Sequence, residues 1–206
     1  MNPGGKYIGI VRDPKAVLVS WYNFLKKKGI PNATKYESAS EFAFEKESFA
    51  EGMLHGSTLW EYYTEYVACL KDPNVLIMVY EDLSRDIRSH LPLISKFMGL
   101  NVSNAHFDEI ARLCSRENMM IEMTKFDETW TSQQLKMLKR SNDPGVTFNV
   151  SPKVTLGSDP SVLKHEAIAF LGDCWKENIE VITGIKSYEE LVEKIRKEHV
   201  LKQLKT

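Results

Sequence analysis

Apolar positions along the 206-residue chain follow two periods. Lys6 to Val11 (KYIGIV), behind the Pro3-Gly4-Gly5 turn signal, and Val75 to Tyr80 (VLIMVY), behind Asp72-Pro73-Asn74, are short β-rich runs, and each reads as a buried strand. Helical spacing accounts for most of the remainder. Arg12-Asp13-Pro14 marks a strand-to-helix turn, with Asp13 as N-cap and Pro14 at the first helical position. Ala16, Val17, Leu18, Trp21, Phe24 and Leu25 carry that helix towards a stop at Gly29-Ile30-Pro31. Further helices are predicted over 38–51, with Phe42, Phe44 and Phe49 as apolar contacts, and over 56–71, where Leu59, Trp60, Tyr63, Val67 and Leu70 share a face. Others are predicted over 87–98, 104–114 with Ser103 as cap, 161–182 and 188–204, while Glu81-Asp82-Leu83 reads as a turn. The stretch 116–160 is the least regular, broken by Pro144-Gly145 and Pro152, and no internal repeat interrupts a single domain over 1–206.

Two strands are fewer than the roughly four to six of an ordinary open α/β sheet. The chain is therefore expected either to be mainly helical around a vestigial parallel sheet, or to begin partway into a larger α/β fold.

Composition narrows the chemistry. With 43% apolar and 27% charged residues the chain is a folded one rather than a disordered or fibrous one. Its 27 basic and 28 acidic residues nearly cancel, so no overall field recruits nucleic acid or an anionic membrane, and an anionic ligand needs a local cluster. Cys69, Cys114 and Cys174 are widely spaced and odd in number, which points to a reducing, cytoplasmic setting rather than a disulfide or zinc framework. No apolar run is long enough to span a membrane, and no signal peptide is recognisable. His55, His90, His106, His165 and His199 show no metal-binding spacing, so no metal is expected.

One segment carries chemistry. Arg12 sits at the carboxyl end of a predicted parallel strand, where open α/β sheets bind ligands. Ser20 lies two turns into the next helix, about 10 Å from its cap by helical rise. A guanidinium reaching along the helix could meet that hydroxyl over one phosphate. The same spacing equally suits an Arg12 paired with a nearby carboxylate and a Ser20 that is an ordinary helix residue. Trp21, Tyr22, Trp60, Tyr62 and Tyr63 have the spacing of core residues, with contact to a bound acceptor as the alternative.

Arg12-Asp13-Pro14-Lys15 followed by Val19-Ser20-Trp21-Tyr22 resembles the signature of sulfotransferases that use 3′-phosphoadenosine-5′-phosphosulfate (PAPS). The order of later features agrees: Gly56-Ser57 with Trp60, then Tyr80-Glu81-Asp82-Leu83, Phe97-Met98-Gly99-Leu100 and Cys114-Ser115. The resemblance covers most of residues 5–120 and continues more loosely to about 193. It implies the α/β, P-loop-NTPase-like three-layer sulfotransferase fold, helix-rich and lacking its N-terminal part. By the same resemblance Arg12 and Ser20 hold the 3′-phosphate and Tyr80 lies beside the adenosine. Cys114, Ser115 and Arg116 fall where the family contacts the adenine, Arg116 replacing an aromatic residue, and the stretch from Lys153 through Gly157 to Ser158 stands for the loop that closes on the 3′-phosphate.

In this family a Lys-containing Gly/Ser/Thr loop cradles the phosphosulfate, and a catalytic His follows it before the Arg-Asp-Pro strand. These 206 residues contain neither, so no catalytic residue is assigned and the chain alone is expected to be inactive. The function implied is transfer of a sulfuryl group to a hydroxyl or amine of a small alcohol, phenol or amine acceptor, with PAPS as co-substrate. The alternative is a non-catalytic nucleotide-binding or scaffold protein derived from such an enzyme. A homodimer is left open, although the dimerisation signature of the animal enzymes is not recognisable.

Overall fold

A computed structural model of the chain describes residues 4–27, 31–44, 58–122 and 158–204. Strands β1 (Tyr7–Val11) and β2 (Val75–Val79) pair in parallel, with Tyr7 opposite Val75, Gly9 opposite Ile77 and Val11 opposite Val79. Between them run α1 (Pro14–Lys27), α2 (Pro31–Thr34), α3 (Ala39–Phe42) and α4 (Leu59–Cys69). After β2 come α5 (Tyr80–Arg85), α6 (Ile87–Met98), α7 (Asn104–Leu113) and α8 (Arg116–Ile121). A 3₁₀ turn at Pro160–Val162 leads into α9 (His165–Trp175), which continues through a π-helical segment, Lys176–Glu180, to Val181–Thr183; α10 (Tyr188–Leu204) completes the described chain.

Side chains alternate across a pleated strand, so each face of the pair meets a different layer. Val11, Val75, Ile77 and Val79 join the main core with Leu18, Val19 and Tyr22 of α1, Trp60 and Tyr63 of α4, Leu171 and Trp175 of α9, and Leu191 and Ile195 of α10. Leu76 and Met78 point the other way, against Leu93, Ile94 and Phe97 of α6. The arrangement is helix, sheet, helix. Every residue of β2 is buried, whereas Ile8 and Ile10 of β1 are 43% and 50% exposed. β1 is thus buried on one face only, a departure from the fully buried strand its apolar run predicts. Among the described residues, α6 packs on the even-numbered face of β2 and leaves Ile8 and Ile10 of β1 uncovered.

Gly9 lets α4 approach β1: a Cβ there would lie 2.8 Å from Cδ1 of Ile77 and 3.0 Å from Cε1 of Tyr66. The outer edge of β2 is closed by side chains of α10. His199 donates from Nε2 to the Ile77 carbonyl at 2.6 Å, and Lys202 donates from Nζ to the carbonyls of Val75 and, at 3.0 Å, Asp72. These bonds satisfy acceptors that an open strand edge would leave to water.

Helix boundaries largely follow the capping chemistry. Asp13 accepts from the Lys15 N–H at 2.8 Å and Pro14 opens α1, as the turn signal predicts. Thr58 and Glu61 form a reciprocal capping box at the start of α4. Three expectations change. Glu81-Asp82-Leu83 is helical rather than a turn, because β2 passes into α5 at Tyr80 without a breaker and Asp82 is buried against Arg196 and Arg85. The residues from Arg116 to Ile121 form a helix capped by the Ser115 hydroxyl, so the irregular stretch does not begin at 116. Helix α9 starts at His165, after the 3₁₀ turn and Leu163-Lys164, rather than at Ser161. Within the predicted helix over 38–51, the described part is helical over Ala39–Phe42; Phe42 is fully buried and Phe44 is 52% exposed, while Phe49 lies outside the described residues.

Candidate functional site at the ends of the parallel strands

Val11 and Val79 are register partners, so the residues following them emerge side by side at the carboxyl end of the sheet. Arg12 follows the first and Tyr80 the second. The Arg12 guanidinium carbon lies 4.2 Å from the centre of the Tyr80 ring, a cation–π stack. One terminal nitrogen of Arg12 donates to the Ser158 hydroxyl, closing the site with a residue 146 positions away in sequence. Nε of Arg12 is buried and has no hydrogen-bond partner among the described residues. A buried N–H without an acceptor is costly, and an anion at the strand ends would supply one.

The backbone behind Arg12 is held at both poles of one peptide unit. The buried Tyr63 hydroxyl donates to the Arg12 carbonyl, and the N–H of Asp13 donates to Oε1 of Glu81 at 2.9 Å. Oε2 of Glu81 accepts from the Tyr188 hydroxyl at 2.6 Å. Burial pushes the Tyr63 phenol well above its ordinary range. Burial and then the bond to Glu81 do the same to Tyr188. Both hydroxyls are therefore neutral donors at physiological pH. Their rings belong to one aromatic cluster: Trp175 lies 5.9 Å from Tyr63 and 6.4 Å from both Trp60 and Tyr188, and its indole N–H donates to the Ile185 carbonyl at 2.9 Å.

The carboxylate of Asp13 is turned to its own helix. It caps Lys15 N–H and lies 3.4 Å from Lys15 Nζ, so the positive charge at the strand ends comes from Arg12 rather than from the start of α1.

Of the residues named from the sequence, Arg12 and Tyr80 are brought together. Ser20 is half-buried in the second turn of α1, and the hydrogen bond of the Arg12 side chain goes to Ser158 instead. Cys114 is the exposed C-cap of α7, Ser115 caps α8 by accepting from Asn118 N–H at 3.1 Å, and Arg116 is exposed. Among the described residues, no hydrogen bond or ring contact joins these three to Arg12 or Tyr80. Lys153 and Gly157 lie outside the described residues. Of the five aromatics weighed as core or acceptor contacts, Tyr22, Trp60 and Tyr63 are core, while Trp21 and Tyr62 are half-buried against it. Sequence reasoning placed Ser158 at the end of the candidate closing loop, but missed Tyr63, Glu81 and Tyr188 as parts of this site, for which local spacing carries no signal.

Residues 1–146 match the family model of the sulfotransferase domain. The chain belongs to the sulfotransferase domain family. The amine sulfotransferase of Oryctolagus cuniculus is 31% identical over 118 residues, a match covering 57% of this chain and 38% of that protein. The 3-alpha-hydroxysteroid sulfotransferase of Cavia porcellus is 27% identical over 139 residues, covering 66% of this chain and 47% of that one. The crystal structure of mouse sulfotransferase SULT7A1 complexed with PAP superimposes with a TM-score of 0.58 at 20% identity, covering 93% of this chain and 62% of the other. That superposition establishes the helix-rich α/β sulfotransferase fold. The sulfotransferase chain described here spans less than half the length of these two curated relatives.

Proposed function

We propose that this sulfotransferase-family chain carries the 3′-phosphate and adenosine half of a PAPS site, and that the enzyme it represents transfers a sulfuryl group to a hydroxyl or amine of a small acceptor. The observation that carries the reading is Arg12: a guanidinium at the carboxyl end of a parallel strand, stacked on Tyr80, with a buried Nε–H that lacks a partner among the described residues. Such a donor fits a phosphate oxygen. Ser20 supplies a second donor on the same phosphate, Tyr80 a face beside the adenosine, and Ser158 with the Lys153–Gly157 segment the closing side. Cys114, Ser115 and Arg116 are assigned to the adenine on the resemblance alone. The names of the relatives, an amine and a hydroxysteroid sulfotransferase, support an amine or alcohol acceptor.

Sulfuryl transfer resembles phosphoryl transfer in placing negative charge on the leaving phosphate, so catalysis rests on positioning and on nearby positive charge. Arg12 contributes that positioning through the nucleotide. The 206 residues contain no stretch recognisable as the family's Lys-bearing Gly/Ser/Thr loop, and the chain by itself is therefore expected to bind nucleotide through Arg12 without transferring sulfate.

Calorimetry with adenosine 3′,5′-bisphosphate and with AMP tests the assignment. Charge-assisted bonds to the 3′-phosphate are worth about 1.5–3 kcal/mol, so the bisphosphate is expected to bind roughly ten- to a hundredfold more tightly than AMP. Arg12→Ala is expected to erase that preference. Equal affinity for the two nucleotides, or a preference that survives the substitution, overturns the reading. Labelled-sulfate transfer by the purified chain would overturn its predicted inactivity.

A further inference from the structure

We propose that Glu81 and Tyr188 are positioning residues of the nucleotide site, forming a clasp through which α10 holds Arg12 in its anion-binding orientation. The inference rests on the assignment of Arg12 to the 3′-phosphate and extends it to a helix beyond residues 1–146, the stretch that matches the family model.

A peptide unit is planar, so fixing its oxygen and its N–H fixes the plane, and with it ψ of the residue before and φ of the residue after. The unit between Arg12 and Asp13 is bound at both ends, its oxygen by the Tyr63 hydroxyl and its N–H by Oε1 of Glu81. The direction in which the Arg12 side chain leaves the backbone is thereby set at the point where β1 stops and before the first hydrogen-bonded turn of α1. A carboxylate has two oxygens, and the second one here determines where the first can be. Oε2 of Glu81 accepts from Tyr188, the first residue of α10.

The position of Tyr188 is in turn built into the core. Its ring stands edge-on to Trp175, and Leu191 and Ile195, which follow it on α10, are fully buried. The chain of contacts therefore runs from α10, through the Tyr188 hydroxyl and the Glu81 carboxylate, to the peptide that aims Arg12. Two of its links, Tyr63 and Tyr188, pack against the same indole of Trp175, so the two ends of the clamped peptide share one support.

The clasp predicts a specific signature. Loosening it blurs the direction of Arg12 and weakens chiefly the contribution of the 3′-phosphate, because Arg12 bears on the adenosine only through its stack on Tyr80. Tyr188→Phe removes one oxygen and keeps the ring on Trp175; Glu81→Gln keeps an acceptor for Asp13 N–H and removes the charge. Each is expected to weaken adenosine 3′,5′-bisphosphate binding about tenfold, the scale of one hydrogen bond to a charged group, and to weaken AMP binding far less. In an Arg12→Ala background neither substitution is expected to have a further effect, since both act through Arg12.

Thermal melts run alongside keep the test sharp, and Tyr63→Phe provides a third variant should Glu81→Gln fail to fold. Unchanged bisphosphate affinity in Tyr188→Phe overturns the clasp. So does an equal loss for both nucleotides, which is what a purely structural role produces, and so does an effect that persists without Arg12. If Arg12→Ala itself leaves the preference for the bisphosphate intact, the underlying assignment fails instead, whatever the clasp variants do.

Discussion

Replacing Gly9 tests how closely the helical layer is pressed onto the strand that leads to Arg12. The Cβ of an alanine there would stand 2.8 Å from Ile77 Cδ1 and 3.0 and 3.1 Å from two ring carbons of Tyr66. Carbon atoms prefer about 3.5–4.0 Å, so the neighbours must give by roughly 0.5–1 Å. Ile77 is 2% exposed and has little empty space to move into, whereas the half-buried ring of Tyr66 can swing outward. Overpacking of this kind costs about 1–3 kcal/mol, and the stiffer unfolded chain returns about 0.4–1 kcal/mol. Gly9→Ala is therefore expected to destabilise by about 1 kcal/mol, a fall in Tm of about 2–4 °C for a chain of this size. Gly9→Val, with two further methyl groups beside the same atoms, should cost about 3 kcal/mol or more. Differential scanning calorimetry reads both. Tyr66→Ala should recover part of the Gly9→Ala loss, because it removes one of the two obstacles. A Gly9→Val variant that melts with the wild-type protein would refute the close approach, and with it the account of why a glycine interrupts a strand otherwise made of aromatic and β-branched residues.

Two further substitutions probe the packing of α10 through its charges. Asp82 is buried and accepts from Arg196 at 2.9 and 2.7 Å, a pairing that holds its carboxyl below the usual range. Since Arg196 is half-exposed, Asp82→Asn should cost only about 1–2 kcal/mol at neutral pH. That difference is present above the unfolded carboxyl pKa of about 3.9 and shrinks as pH falls through the lower folded value, so melts that differ equally at pH 3 and pH 7 would contradict it. His199 is held below its ordinary pKa by burial, with His90 and Lys202 acting in the same direction and its bond to Ile77 and the charge of Asp82 opposing. The unfolded chain then takes up the proton first, and stability declines as pH drops below about 6.5. His199→Gln, which can still donate to the Ile77 carbonyl, should flatten that slope between about pH 6.5 and 5 in chemical-denaturation curves; an unchanged slope would assign it to another group.

Much of the architecture was legible because it rests on short-range rules. The two apolar β-rich runs became the two strands, Asp13-Pro14 opened α1, and the Arg-Asp-Pro and Ser20 pattern led to the family that the domain match identifies. Misjudgements came where burial overrode local signals. Acidic Glu81 and Asp82 look like a turn because such residues are ordinarily solvated, yet both are used as acceptors inside the fold, for Asp13 and Tyr188 in one case and Arg196 in the other. Ile8 and Ile10 look like core because they are apolar, but which face of a strand is covered depends on a helix 80 or more residues away.

The sequence by itself determined the element types, the strand-to-helix turn at Arg12 and the sulfotransferase family, since periodicity, capping and motif order are all written in neighbouring residues. Only the tertiary structure decided what surrounds Arg12. Tyr80 arrives through the parallel register of two strands, Ser158 from 146 residues downstream, and Tyr63, Glu81 and Tyr188 from three different helices. A hydrogen bond requires donor and acceptor within about 3 Å, and nothing in the spacing of residues so far apart along the chain encodes that distance. Packing brings them together, and the shape of the site is a property of the core that supports it.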